Sequence, residues 1–407
     1  MSTTTPTQTS QPTPAAKLTG RARIAGLLST DLRALPVITG LLLLIAYFAS
    51  QSSVFLSSRN ISNLLVQTVV TGIIALGIVF VLLLGEIDLS VAAISGLCSV
   101  VMAKLVVEQN WNNAIAVLVA VLLGVAIGAL TGLWSTRFLV PSFVVTLGVG
   151  LMLNGLQLMT LPRSGRYNLL KTGIDNIAGS YLTGVNSWAC VAVAVVFVLG
   201  LRLTAHVRRL RHEIPSSLVR SVAVPTVATA VAGCAIVAVL DANEGVPVPV
   251  AIFAVLLGAA SYVLTETRFG LHLYAVGGSA EAARRAGVNV TVVKIMAFAI
   301  NGGLGALAGV IAASRILGVS VSSGGGIGGG ALLLNAIAAA VIGGVSLFGG
   351  RGRASAALLG ALVIGVVGNG LNLLGVSTNV QLLVTGGLLV LAVTVDRSIE
   401  RMTTVTR

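Results

Sequence analysis

From residue 34 onward, apolar runs of about one membrane width follow one another, separated by short polar or charged knots. A helix of about 20 apolar residues covers the roughly 30 Å of a hydrocarbon core. Runs of that kind fall near 34–54, 62–84, 88–107, 113–135, 141–160, 187–203, 221–240, 248–265, 293–317, 331–349, 354–374 and 378–396. The pattern predicts an all-α fold, a polytopic transmembrane helix bundle of about 10–12 membrane segments. Gly and polar residues interrupt several runs, so one or two are expected to be re-entrant rather than spanning. Residues 1–17, MSTTTPTQTSQPTPAAK, offer almost nothing to bury. A disordered cytoplasmic tail is therefore expected over 1–30 and a membrane domain over 31–400. The start is not that of a signal peptide, because no apolar stretch directly follows a basic one.

Composition points the same way. The chain is 56% hydrophobic and 9% charged, with a mean hydropathy of +1.01. A soluble domain carries about 25% charged residues, so lipid must cover most of this surface. The net charge of +13 could suggest nucleic acid, but its distribution excludes that reading. With the N-terminus inside and the segments alternating, all but six of the 25 basic residues fall on the inner side. The exceptions are Arg59, Lys104, Arg163, Arg166, Lys171 and Arg315. That bias predicts an N-in, C-in, multi-pass protein of the cytoplasmic membrane whose bases meet anionic lipid. The acidic DANEG loop, 241–245, then lands outside.

Metal and nucleotide chemistry find little support. Cys98, Cys190 and Cys234 sit within apolar runs and read as small core residues. His206, His212 and His272 have no ligand spacing, so no metal site is expected. No Gly-Lys pair occurs among the four lysines, and GGGIGGG, 324–330, reads as a flexible outer loop rather than a phosphate cradle. Glycine instead predicts close helix packing: GVAIGALTG puts Gly124, Gly128 and Gly132 on one face, and GALAG repeats the spacing at Gly305 and Gly309.

Polar residues inside apolar runs are the first functional candidates. Glu86 and Asp88 are costly at a membrane helix end unless hydrated, capped or paired. Asp88 or Ser90 can cap the next helix. A proton or cation site is the alternative, but two helical residues two apart point to opposite faces, and no embedded cation stands out as a partner. Asn301, Asn369 and Asn372 need hydrogen-bond partners in lipid. They suit interhelical packing or the lining of a polar route.

The second candidate is the charged stretch GGSAEAARRAGVN, 277–289. Ser279 is placed as N-cap, Glu281 in the first turn, Arg284 and Arg285 within its reach, and Gly287 as terminator. About two turns cannot stand alone in water. Ala282, Ala283 and Ala286 would form a bare face that a partner's surface could approach, and a solvated loop helix is the bland alternative.

GLHLYAVGGSAEAARRAGVNVTVVK resembles the coupling-helix region of permease subunits in bacterial ABC importers for monosaccharides, the ribose and xylose type. GEIDLSVAAISGL, LNAIAAAVIGGVSLFGGRG and LGALVIGVVGNGLNLLGVS resemble further segments of that family. The family often has an acidic residue where Asn335 stands and a basic one where Leu271 stands. Extra segments over 161–247 resemble the xylose-type branch. The resemblance implies a permease that is not itself an enzyme and binds no cofactor, with ATP and Mg on a partner ATPase docked at Ser279, Glu281, Ala282, Ala283, Arg284, Arg285 and Gly287. It also implies an extracellular or periplasmic sugar-binding protein and a homodimer. The rivals are a stand-alone ion- or proton-coupled secondary transporter and, last, an integral-membrane enzyme.

Overall fold

The computed structural model describes residues 34–325 and 331–405, so the tail expected over 1–30 and most of the GGGIGGG loop lie outside the described residues. Helices dominate in the order α1 (Ala34–Gln51), α2 (Ser58–Leu83), α3 (Val91–Val107), α4 (Asn113–Arg137) and α5 (Ser142–Thr160). A connecting stretch with β1 (Arg166–Asn168), α6 (Asp175–Gly179) and β2 (Tyr181–Leu182) leads into α7 (Val185–Arg211) and α8 (Val224–Asp241). After β3 (Val246–Pro247) come α9 (Val248–Glu266), α10 (Arg268–Gly278), α11 (Ala280–Arg285) and α12 (Val290–Arg315). The chain closes with β4 (Gly318–Ser320), α13 (Ala331–Ile342), α14 (Ser355–Leu373) and α15 (Thr378–Val405). Eight of the described helices are long and apolar enough to cross a membrane.

Each run read from the sequence contains a helix, in several cases a few residues shorter than the run. The 88–107 run becomes helical only at Val91, and the 331–349 run stops at Ile342. Backbone chemistry explains both. Asp88 folds back on Ser90 ahead of α3, and Gly344 (φ +103°) and Gly349 (φ +82°) turn the chain after α13.

Connections gather at two opposite rims. At one, Arg208 of α7 pairs with Glu266 at the end of α9 at 3.0 Å, and the Gly350 amide donates to the Leu83 carbonyl at 2.8 Å. This near rim also carries α10 and α11. At the far rim β1 pairs antiparallel with β4, matching Tyr167 to Val319, and β2 pairs with β3. Tyr167, buried, donates its hydroxyl to Glu108 at 2.5 Å, and Asn113 donates to the Thr172 carbonyl at 2.8 Å. Arg163, Arg166 and Lys171, which broke the charge bias, all belong to this far-rim stretch.

The core is glycine-mediated. The Gly124–Gly128–Gly132 face of α4 lies on α12, where Cβ atoms added at these positions would strike Gly302, Phe298 and Ile295. The Gly305–Gly309 face of α12 meets Val91 and Ser95 of α3. Removing Cβ lets backbones approach, which drives helix association in lipid, where no hydrophobic force is available between helices. α2 is buried along most of its length, whereas α7 buries only Ser187 and His206. The cysteines are not all core residues as expected: Cys98 is buried, Cys190 intermediate, and Cys234 exposed on α8, whose buried residues are only Val237 and Leu240.

Gly128→Leu would drive a side chain into the Phe298 backbone, and overpacking of this kind costs about 1–3 kcal/mol or more. A clear drop in detergent melting temperature is expected, with no change for Gly148→Leu on α5, where nothing lies within 4 Å of an added Cβ.

Candidate translocation core and docking helix

Segment 85–90, between α2 and α3, is non-helical. Its depth follows from its neighbours. Lys294, the partner of Glu86, stands one turn into α12, while Val91 packs against Gly305 near the middle of that helix. At 1.5 Å rise per residue, these positions differ by about 16 Å along α12. The chain therefore crosses the near half of the bundle outside any helix, and α3 fills the other half. Bare backbone at that depth must be satisfied by protein groups. Ile87 N–H donates to Ser142 Oγ at 3.3 Å and Leu89 N–H to Thr146 Oγ1 at 3.1 Å, both on α5. Ser90 N–H donates to Asp88 Oδ1 at 2.7 Å.

The non-helical form changes the reading of the two carboxylates. Outside a helix, residues two apart can share a side, and Glu86 and Asp88 both address α12 rather than opposite directions. Glu86 forms an ion pair with Lys294, and Asn301, two helical turns further on, donates to Asp88 Oδ2 at 2.7 Å. The expectation that no embedded cation partners these acids is thus corrected. Lys294 read from sequence as an orientation charge, and its seven-residue spacing to Asn301 was the available clue to a shared face. Capping is realised by Asp88: its Oδ1 also accepts from Ser90 Oγ at 2.6 Å, while Ser90 makes no side-chain cap.

The other asparagines are engaged between elements. Asn369 and Asn60 exchange two hydrogen bonds, at 2.9 and 3.0 Å, joining α14 to α2. Asn372 accepts from Gln381 of α15 at 2.8 Å. A residue not singled out from sequence, Gln157 of α5, donates to the carbonyls of Ser320 and Ser323 at 3.0 and 3.1 Å. It pins a loop in which Gly324 packs on Ala92 and Gly96 of α3. Non-helical chain therefore enters the bundle from the far rim as well.

The near rim presents α11. Ser279 Oγ accepts from Ala282 N–H at 3.2 Å, and Glu281 meets Arg284 at 3.3 Å and Arg285 at 3.1 Å. Gly287 turns the chain with φ +84°. Glu281, Ala282, Arg284, Arg285 and Ala286 are exposed, but Ala283 is 5% exposed and joins the core. Ala283 therefore anchors the helix instead of contributing to the bare outer face. Tyr274 of α10 ties this rim together by donating to the Gly352 carbonyl at 2.9 Å. Burial pushes its phenol above the usual tyrosine range, against the opposing pull of Arg353.

An all-α, polytopic bundle with helix breaks in its core and an exposed charged helix at one rim has the form of a membrane transport subunit. Comparison with known proteins carries this further. Residues 60–393 match the family described as branched-chain amino acid transport system / permease component. The xylose transport system permease protein XylH of Escherichia coli (strain K12) is 35% identical over 301 residues, 74% of this chain and 76% of its own length. The corresponding Haemophilus influenzae protein is 35% identical over 305 residues, 73% and 79% of the two chains. The ribose import permease protein RbsC of E. coli K12 is 34% identical over 286 residues, 70% and 71%. No solved structure matches. The chain belongs to this permease family and is a multi-pass protein of the inner membrane.

Thr146→Val keeps the shape of α5 but strands the Leu89 N–H at membrane depth, at a cost of about 1–3 kcal/mol. A lowered detergent melting temperature and faster proteolysis between α2 and α3 are expected, with Thr146→Ser close to wild type.

Proposed function

We propose that the chain is the permease subunit of an ATP-binding-cassette importer that carries a monosaccharide such as xylose or ribose across the cytoplasmic membrane. The relatives named for xylose and ribose support the substrate class. The near rim is then cytoplasmic, in keeping with Arg208, Arg209, Arg211, Arg268, Arg284, Arg285, Arg351 and Arg353 grouped there. The chain itself hydrolyses nothing and binds no cofactor. ATP and Mg belong to a separate ATPase subunit, a sugar-binding protein delivers ligand at the far rim, and two copies of the chain form the path.

The observation that carries this reading is α11. It is a capped, six-residue helix, held from beneath by Ala283, with Ser279, Glu281, Ala282, Arg284, Arg285 and Gly287 turned outward. Too short to persist alone, it is kept folded and exposed at a rim, as a handle for a partner must be. A proton- or ion-driven carrier is disfavoured because Glu86 is already paired with Lys294 and Asp88 is held by Ser90 and Asn301.

Glu281→Arg replaces the acid that balances Arg284 and Arg285 with a third base. It should abolish co-purification of the ATPase subunit while membrane insertion and melting temperature stay near wild type. Undiminished co-purification would exclude docking at α11, and ligand uptake by the purified chain alone, driven by a pH gradient, would exclude the importer reading.

A further inference from the structure

The Glu86–Lys294 pair joins two parts of the chain with different mechanical character. Lys294 belongs to a continuous 26-residue helix, α12, capped at Asn289. That cap follows α11 through a short hydrogen-bonded turn in which Gly287 N–H donates to the Arg284 carbonyl and Val288 N–H to the Ala283 carbonyl, both at 3.0 Å. Only residues 286–288 separate α11 from that cap, so the two helices are directly linked. Glu86, by contrast, lies on the non-helical segment that crosses the near half of the bundle. That segment has no hydrogen-bond ladder of its own: its first two amides, Gly85 and Glu86, donate back to α2, and beyond them it is held by α5 and α12.

The side chains of Glu86 and Lys294 are 19% and 22% exposed. A charge pair so sheltered pays a desolvation cost that its attraction barely offsets, so it is a poor device for stability alone. It is a strong device for keeping two elements in register, because separating the charges leaves both unpaired in a poorly solvated place. Asp88 and Asn301 make a second contact between the same elements, deeper and uncharged on the α12 side. The charged contact is the one nearer α11.

We propose that Glu86 and Lys294 are positioning residues of the transport cycle: their ion pair makes the 85–90 segment follow α12 when the docking helix moves, opening and closing the near half of the path. This rests on α11 being the ATPase-docking helix. Neither residue contacts ligand in this role; each acts through the segment it holds.

The test compares wild type, Glu86→Gln, Lys294→Met and the double exchange Glu86→Lys with Lys294→Glu. Each is co-expressed with the ATPase subunit that co-purifies with wild type and reconstituted in liposomes with the cognate binding protein. Both single variants should keep ATPase association and ATP hydrolysis but lose about tenfold or more in ligand transported per ATP, as expected for an unpaired intramembrane charge or a broken link. The double exchange should regain most of that ratio, the coupling signature of a direct pair. An unchanged ratio in Glu86→Gln, loss of ATPase association with it, or a double exchange no better than the single variants would overturn the link. Absence of ATP-dependent uptake by the wild-type assembly would instead sink the importer reading.

Discussion

Backbone amides at membrane depth cannot look to water, and the whole near half of this protein is organised around that constraint. An unsatisfied amide in an apolar medium costs about 2–7 kcal/mol, so segment 85–90 can leave the helical state only because α5 supplies hydroxyls at Ser142 and Thr146. Those hydroxyls sit four residues apart and so face the same way. Gly85 and Glu86 donate back to the Leu82 and Val81 carbonyls of α2, and Asp88 supplies the acceptor for Ser90 at the start of α3. Given those groups, a non-helical crossing becomes affordable, and with it a place in the bundle that can change shape without unwinding a spanning helix.

The helical frame was written plainly in the sequence because lipid imposes length and apolarity on every spanning segment, and periodic glycine reports close packing. Gly124, Gly128 and Gly132 met α12 as their spacing implied. The cap of α11 was equally readable, since Ser279, Glu281 and Gly287 act over a single turn. What escaped was long-range pairing. Glu86 and Lys294 are 208 positions apart, and nothing local to either names the other. The error over the carboxylates came from one assumption, that GEIDL continues a helix. Once the segment leaves the helix, the 3.6-residue side-chain period lapses and both acids turn to one partner. Ala283 was misjudged for a related reason: a bare alanine face fits a partner or a core equally well, and only the packing decides.

Non-helical chain also enters from the far rim, where the loop after β4 is pinned by Gln157 and rests on Ala92 and Gly96 of α3. The two intrusions meet the same short helix. α3 has segment 85–90 at its start and the Gly324 turn against its first two helical turns. Glycine is required at that contact, since a Cβ at position 324, whose φ is +66°, would overlap the α3 backbone. Close backbone-to-backbone packing of this kind has few alternatives between fitting and not fitting, which favours discrete arrangements over continuous deformation.

Much of the polarity inside the bundle is already spent on holding it together. Asn60 and Asn369 satisfy each other, Asn301 donates to Asp88, and the Gln157 amide is committed to the loop after β4. Among the described residues, the buried side-chain atoms still lacking a partner include the amide oxygens of Asn154, Gln157 and Asn301 and the Ser62 hydroxyl. A sugar presents several hydroxyls, each a donor and an acceptor, and tight recognition requires a placed partner for most of them. These few enclosed atoms do not supply such a site. Weak holding suits a conduit, because a ligand bound tightly midway would have to be released against that affinity in every cycle.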